Sequence, residues 1–188
     1  MRVIGLAGWS GAGKTTLLVK LIPFLRARGL AVSTLKHAHH AFEIDRPGKD
    51  SFEHRQAGAS EVLIASGRRW ALMHELRDEA EPALPDLLRR LSQVDLVVVE
   101  GFKAHAHPKI EVHRAANGKP LLVRDLPNVR AVATDAALAD IPVPVADLND
   151  TAAVADLMLA SADPLDRVLA DLDARPRPAR VRLHDGAP

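Results

Sequence analysis

A glycine-rich segment near the start of the chain constrains the fold more than any other sequence feature. Residues 8–15 read GWSGAGKT and match the pattern G-x-x-x-x-G-K-[ST] in full. An apolar run at residues 2–7 precedes the segment, and residues 14–28 follow it with an apolar helical face. A glycine-rich loop between a buried strand and a helix is typical of phosphate binding, because backbone N–H groups and the positive end of the helix dipole meet there. The segment therefore predicts a nucleotide-binding α/β protein.

The residue types of this loop predict separate roles in holding a nucleotide. Its glycines let the backbone wrap around a phosphate, and Lys14 is expected to bridge the β- and γ-phosphates. Thr15 is expected to bind Mg²⁺ through its hydroxyl, and Thr16 to contact the α-phosphate. The residues predicted to contact the phosphates are Gly8, Trp9, Ser10, Gly11, Ala12, Gly13, Lys14, Thr15 and Thr16.

Residues 94–99 give the strongest strand signal in the chain, and two carboxylates, Asp95 and Glu100, lie near the two ends of this run. Asp95 and Glu100 lie five positions apart, which is roughly 16 Å along a strand at about 3.3 Å per residue. Ligands of open α/β sheets bind at the carboxyl ends of the strands, so Glu100 is the predicted carboxylate of the Mg²⁺ site. Gly101 would let the backbone turn close to the γ-phosphate. The alternative is that Glu100 is an exposed charge at a strand end.

A long loop, residues 36–50, follows the second predicted strand at residues 30–35. Loops at this edge of the sheet face the nucleotide, so Asp45 or Asp50 is expected to hold Mg²⁺ or position the attacking water. Lys36 or Lys49 would stabilise charge on the γ-phosphate. The histidines of this loop and of the segment after Gly101 are either transition-metal ligands or polar groups that face an anion or solvent. These histidines are His37, His39, His40, His105 and His107.

The remaining patterns predict the architecture. The alternation of strands and helices favours a three-layer P-loop NTPase fold, with a mostly parallel sheet between helices on both faces. One antiparallel excursion is expected where residues 61–65 and 69–74 flank a turn at Ser66-Gly67. We expect residues 1–163 to form the P-loop nucleotide-binding domain and residues 164–188 to form a partly disordered C-terminal extension, although an amphipathic helix fits its first part.

Composition excludes several classes of function. Aromatic residues make up 3% of the chain and the formal net charge is +1, so nucleic acid is not an expected partner. The chain has no cysteine, which excludes disulfides, thiolate metal sites and cysteine nucleophiles. No apolar run is long enough to span a membrane, and we expect no membrane partner and a cytoplasmic location.

Taken in order, the motifs resemble those of the molybdopterin-guanine dinucleotide biosynthesis protein B (MobB) family. The specific segments are the phosphate loop, K-H-A-H-H at 36–40, D-R-P-G-K-D-S at 45–51 and E-G-F-K at 100–103. Shorter segments also match, at residues 57–59, 69–73, 109–110, 131–135 and 147–150. The resemblance covers about residues 1–160.

The resemblance implies a GTP-binding adaptor with weak GTPase activity in molybdenum cofactor biosynthesis, rather than an efficient enzyme. It also implies GTP and Mg²⁺ as cofactors, with Asp45 and Glu100 near the metal and Lys14 at the phosphates. The implied partners are a molybdenum cofactor guanylyltransferase (MobA-like), a second copy of the chain in a homodimer and, as a further candidate, molybdopterin. Two alternatives remain: an ATP-dependent small-molecule kinase and a GTP-driven metal-insertion chaperone that uses the histidines.

The choice of guanine rests on Asp135. The base-reading motif N-K-x-D is absent, but Asp135 follows a predicted strand at residues 129–133. Its carboxylate would accept hydrogen bonds from guanine N1 and N2, and the alternative is that it caps the next helix.

Overall fold

The computed structural model of the protein describes residues 1–38 and 42–175. These residues divide into two compact units, a larger one formed by residues 1–37 and those from 84 onward, and a smaller one within residues 38–83. The strands are β1 (Arg2–Ala7), β2 (Val32–Lys36), β3 (Glu61–Ala65), β4 (Trp70–His74), β5 (Leu96–Glu100), β6 (Lys109–His113), β7 (Val129–Thr134), β8 (Val145–Asp147) and β9 (Asp163–Pro164). The helices are α1 (Lys14–Ala27), α2 (Asp50–Gln56), α3 (Leu84–Arg89), α4 (Thr151–Ser161) and α5 (Leu165–Asp173), with two 3₁₀ turns at Ala115–Asn117 and Leu122–Arg124.

The larger unit is built on one sheet with the strand order β2-β5-β1-β6-β7-β8, in which all neighbours run parallel. The short strand β9 pairs antiparallel with the start of β1. Leu6 of β1 lies opposite Glu100 of β5, and Lys36 of β2 lies opposite Glu100 on the other side. The register therefore brings the end of β1, Glu100 and Lys36 to one edge of the sheet.

Helices cover both faces of this sheet because its central strands are apolar on both sides. Successive side chains of a strand point to opposite faces, and in β1 Ile4 and Leu6 join one core whereas Val3 joins the other. The first core is completed by α1 and α4, and the second by α3 and α5. The predicted three-layer α/β architecture with a mostly parallel sheet is confirmed.

The smaller unit contains α2 and a two-stranded sheet in which β3 and β4 pair antiparallel, with Glu61 opposite His74 and Ala65 opposite Trp70. This hairpin is the antiparallel excursion that the sequence predicts. Its Val62 and Met73 are buried, whereas Leu63 and Trp70 are 62% and 68% exposed.

Helix α5 lies beyond the predicted domain boundary between residues 163 and 164, and its Val168 and Leu172 pack into the second core of the larger unit. The boundary itself stays a prediction, and residues 176–188 lie outside the described residues. Among the described residues, no helix combines the length and the apolar character needed to cross a membrane.

Candidate functional site

The loop between β1 and α1 has the backbone geometry of a phosphate cradle. Gly8 has a φ of +150°, and a Cβ there would lie 2.5 Å from the carbonyl oxygen of Val112, so no other residue fits. Gly13, in the left-handed conformation, is the N-cap of α1. Because a glycine N-cap has no side chain to accept hydrogen bonds, the first N–H groups of α1 remain available to an anion.

Lys14 reaches back over this loop. Its Nζ donates to the carbonyl oxygens of Gly8 at 3.0 Å and Trp9 at 2.9 Å. Burial lowers the pKa of Lys14, the ammonium groups of Lys103 and Lys36 lower it further, and only Glu100 acts in the opposite direction. A group of cations that repel one another in this way favours a polyanionic ligand, because the ligand would relieve the repulsion.

Thr15 and Glu100 meet at the same edge of the sheet. The Thr15 hydroxyl donates to Glu100 Oε1 at 3.3 Å, and Lys36 Nζ lies 3.9 Å from Glu100 Oε2. The Glu100 side chain is 13% exposed, so it is not the freely solvated strand-end charge of the alternative interpretation. A hydroxyl and a carboxylate oxygen so close together are the hard ligands that Mg²⁺ prefers.

Gly101 allows the sharp turn that follows Glu100. Its φ is +99°, and a Cβ at this position would lie 2.8 Å from the Cβ of His37. Phe102, also at positive φ, then packs against the His37 ring, with the centroids 4.6 Å apart and the ring planes tilted by 39°. The loop that carries Lys103 is thereby fixed against the end of β2.

Asp45 belongs to the smaller unit, where its buried carboxylate is bound to Arg55. Arg55 donates to the two carboxylate oxygens at 2.8 Å and 3.3 Å, and this hydrogen bonding is the main cause that lowers the pKa of Asp45. Asp50 is the first residue of α2, with Lys49 at its N-cap. The roles predicted for Asp45 and Asp50 at Mg²⁺, and for Lys49 at the γ-phosphate, stay predictions.

The predicted histidine cluster is only partly described. His39 and His40 lie outside the described residues. Within residues 1–38 and 42–175, no three histidine, aspartate or glutamate side chains lie close enough together to hold a metal ion. His107 is fully buried, and neither of its ring nitrogens has a hydrogen-bond partner among the described residues.

A segment that the sequence reasoning missed, residues 114–121, holds the phosphate loop from the side of β6. Asn117 Nδ2 donates to the carbonyl oxygen of Ser10 at 2.8 Å, and Trp9 Nε1 donates to that of Pro120 at 2.8 Å. The ammonium groups of Lys103 and Lys119 lie 5.2 Å and 5.8 Å from the centre of the Trp9 ring, within cation–π range. Trp9 therefore links the phosphate loop to two other loops.

Two ionisable residues of β6, Lys109 and Glu111, are buried, and Glu111 holds the turn that follows this segment. Glu111 is fully buried and accepts hydrogen bonds from the backbone N–H groups of Leu122 at 2.7 Å and Val123 at 2.8 Å. Burial raises the pKa of Glu111, and the two hydrogen bonds lower it in part. Lys109 donates to the carbonyl oxygens of His105 and His107, and burial lowers its pKa to about 7. In the sequence, Lys109 and Glu111 are indicated by one signal, a charged residue inside an otherwise apolar strand.

Asp135 lies directly after β7 and lines an open pocket of about 330 Å³. Its Oδ1 accepts from the backbone N–H of Ala115 at 2.8 Å, and its Oδ2 lies 3.2 Å from Arg114 Nη1. The backbone N–H of Ala115 is the main cause that lowers the pKa of Asp135, and Arg114 adds to the effect. No helix begins between Asp135 and β8, so the alternative of a helix cap is wrong, and the cap of α4 is Asp150. The pocket is lined by Thr134, Asp135, Ala136, Val145, Ala146, Asp147 and Asn149.

These features define a class. A glycine-rich loop joins the central parallel strand to a helix, Lys14 lies over it, and Glu100 from the neighbouring strand contacts Thr15. The chain is an α/β protein of the P-loop nucleotide-binding class.

Comparison with known proteins places the chain within that class. Residues 3–135 match the family model for molybdopterin guanine dinucleotide synthesis protein B, MobB. The chain is 46% identical over 161 residues to the molybdopterin-guanine dinucleotide biosynthesis adapter protein of Escherichia coli (strain K12), with 84% of this chain and 91% of that protein covered. The chain belongs to the MobB family, as its ordered motifs predict.

Two further relatives agree with this placement. The adapter protein of the same description from Haemophilus influenzae is 43% identical over 159 residues, which cover 83% of this chain and 86% of that protein. A crystal structure of molybdopterin-guanine biosynthesis protein B superposes with a TM-score of 0.65 at 28% identity, and covers 84% of this chain and 98% of that chain.

Proposed function

We propose that the chain is a GTP-binding adapter protein in molybdopterin guanine dinucleotide biosynthesis. The observation that carries the proposal is the meeting of Lys14, Thr15 and Glu100 at the edge of the sheet where the glycine-rich loop ends. Membership of a family whose curated relatives are described as biosynthesis adapter proteins supplies the process.

The triphosphate would lie in the loop from Gly8 to Thr16. Backbone N–H groups at the start of α1 would bind the phosphate oxygens, and Lys14 would turn from the carbonyl groups of Gly8 and Trp9 towards the β- and γ-phosphates. A bound nucleotide would therefore replace two neutral acceptors of Lys14 with charged ones, which form stronger hydrogen bonds.

Thr15 and Glu100 fit a Mg²⁺ ion, because their oxygens are hard ligands 3.3 Å apart. Bound there, Mg²⁺ would neutralise charge on the phosphates. The Asp45 carboxylate is a further candidate ligand, although both of its oxygens are bound by Arg55. Slow GTP hydrolysis, with Lys14, Asp45 and Glu100 as the catalytic candidates, is part of the same proposal.

The base would occupy the pocket between the ends of β7 and β8. Asp135 would accept hydrogen bonds from N1–H and N2–H₂ of guanine, since each carboxylate oxygen has a second lone pair free after binding Ala115 N or Arg114. Adenine would present the unprotonated N1 to the same carboxylate, and two acceptors would then face each other. This difference is the physical basis of the proposed preference for GTP.

We propose a homodimer and contact with a guanylyltransferase (MobA-like) in the cytoplasm, with molybdopterin as a further candidate ligand. The β3–β4 hairpin supports the homodimer, because in the described part of the chain it pairs with no third strand, and an unpaired strand edge can pair with a second chain. Its exposed apolar side chains would be covered by a second copy. These side chains are Leu63, Ile64, Trp70 and Leu72.

Calorimetry on the purified protein tests the nucleotide site. Mg²⁺-GTP should bind, Mg²⁺-ATP should bind more weakly, and Lys14→Ala should lower GTP affinity by roughly a hundredfold or more with the fold intact. Lys20→Ala, at an exposed lysine on the same helix, is the matched control and should change nothing. Unchanged GTP affinity in Lys14→Ala would contradict the phosphate site, whereas a preference for ATP would favour a kinase.

A further inference from the structure

Arg114 occupies a position that neither the phosphate loop nor the base pocket explains alone. It follows the last residue of β6, the strand that lies between β1 and β7 in the sheet. The phosphate loop follows β1 and Asp135 follows β7. The order of the strands therefore places Arg114 between the two elements that would hold opposite ends of a nucleotide.

The contacts of its guanidinium agree with this position. Arg114 Nη1 lies 3.2 Å from Asp135 Oδ2. A Cβ built on Gly13 would lie 3.5 Å from Arg114 Nη2 and 3.8 Å from its Nε, which places the same planar group beside the N-cap of α1. One side chain thus contacts the carboxylate in the pocket and borders the phosphate cradle.

Arg114 also completes the positioning of Asp135. The backbone N–H of Ala115 binds Oδ1 at 2.8 Å, so adjacent residues hold the two oxygens of one carboxylate. The side chains of Arg114 and Asp135 are 38% and 23% exposed, and an ion pair at such exposure adds little to stability. A role in ligand selection explains the arrangement better than a role in folding.

The segment before Asp135 reads Val132-Ala133-Thr134, so no lysine precedes this aspartate as it does in N-K-x-D. We propose that Arg114 supplies the missing cation from the neighbouring strand and is the positioning residue that makes Asp135 select guanine. Its contact with Oδ2 holds the carboxylate turned so that the free lone pairs meet N1–H and N2–H₂ of the base. The inference rests on the proposed GTP site and names the residue that gives it specificity.

Calorimetry with Mg²⁺-GTP and Mg²⁺-ATP on Arg114→Ala tests the inference. Loss of one charge-assisted contact to Asp135 should lower GTP affinity by roughly tenfold and ATP affinity by less than about twofold. Arg114→Lys should recover part of the GTP affinity, because it restores the charge but not the planar fork. The matched control is Arg28→Ala. Arg28 lies at the end of α1 far from the phosphate loop, is 37% exposed and also pairs with an aspartate, Asp156. Neither the GTP affinity nor the ATP affinity should change in this variant.

A double-mutant cycle separates positioning from structure. In an Asp135→Asn background, Arg114→Ala should lower GTP affinity by less than about twofold, because the carboxylate that Arg114 positions is gone. Equal losses of GTP and ATP affinity in Arg114→Ala would overturn the inference and assign the residue to the phosphates. Unchanged affinities, or a full loss in the Asp135→Asn background, would overturn it too.

The wild-type titrations distinguish failure of this inference from failure of the GTP site. No triphosphate binding by wild type would overturn the proposed function and the inference together. Equal affinities for GTP and ATP would agree with the proposed phosphate site but would show that Asp135 does not select guanine. That result would overturn the inference. A clear GTP preference that survives Arg114→Ala would overturn the inference alone.

Discussion

Replacing Glu111 with glutamine should destabilise the larger unit although the two side chains have nearly the same volume. The carboxylate is fully buried and accepts the N–H groups of Leu122 and Val123 at 2.7 Å and 2.8 Å. Glutamine has one acceptor oxygen, so its NH₂ group would face the second backbone N–H and leave that donor unpaired. An unpaired buried donor costs about 1–3 kcal/mol, and the lost charge-assisted bond adds to it. Removal of a buried charge offsets part of this loss, since burial raises the pKa of Glu111.

The net effect expected for Glu111→Gln is a loss of about 2 kcal/mol in the free energy of unfolding, or roughly 4–8 °C in Tm for a chain of this size. Urea and thermal unfolding followed by far-ultraviolet circular dichroism measure both. Glu53→Gln, the same substitution at an exposed position of α2, should stay within about 0.5 kcal/mol of wild type.

The substitution should also reach the phosphate loop. The 3₁₀ turn that Glu111 holds follows Pro120, whose carbonyl oxygen accepts from Trp9 Nε1 at 2.8 Å. GTP affinity should therefore fall by roughly three- to tenfold, well below the loss expected for Lys14→Ala. A Glu111→Gln protein with the same Tm as wild type and Glu53→Gln would refute the reasoning. It would show that one acceptor oxygen satisfies the backbone N–H groups of both Leu122 and Val123.

Three further outcomes follow from the same contacts. Glu100→Gln should raise the Mg²⁺ concentration needed for GTP binding by roughly tenfold, since an amide carries no charge for the metal; an unaltered Mg²⁺ titration would move the assignment to Asp45. Gly5→Ala should lower the free energy of unfolding in urea by about 1–3 kcal/mol, because its Cβ would lie 2.5 Å from Nε2 of the fully buried His107. A variant as stable as wild type would contradict this and show that the His107 ring can move. Burial lowers the pKa of His107 well below its ordinary value. Below about pH 6.5 the unfolded state therefore binds one proton more than the folded state, and the free energy of unfolding should fall as the pH is lowered, by up to about 1.4 kcal/mol per pH unit. His107→Leu should remove that part of the slope between about pH 6.5 and 5, and an identical slope in both proteins would contradict it.

Much of the fold was predictable because its signals are local. The strands β1 and β5 are short apolar runs, and a strand covered on both faces needs no alternation of polar residues. The hairpin β3–β4 was predictable from two short apolar segments and the Ser66-Gly67 turn between them. The roles of Asp45 and of the histidine loop stay predictions, since binding to a metal or nucleotide depends on contacts that no local pattern records.

The sequence by itself determined the phosphate loop, because consecutive residues supply its glycines, lysine and threonine, and the ordered motifs determined the family. Only the tertiary structure decided that Thr15 meets Glu100, that Trp9 binds Pro120, and that Arg114 and Ala115 hold Asp135. The first two contacts join residues 85 and 111 positions apart. Such contacts depend on the order and register of the strands, and a hydrophobic pattern shows that a strand is buried without showing which strand lies beside it.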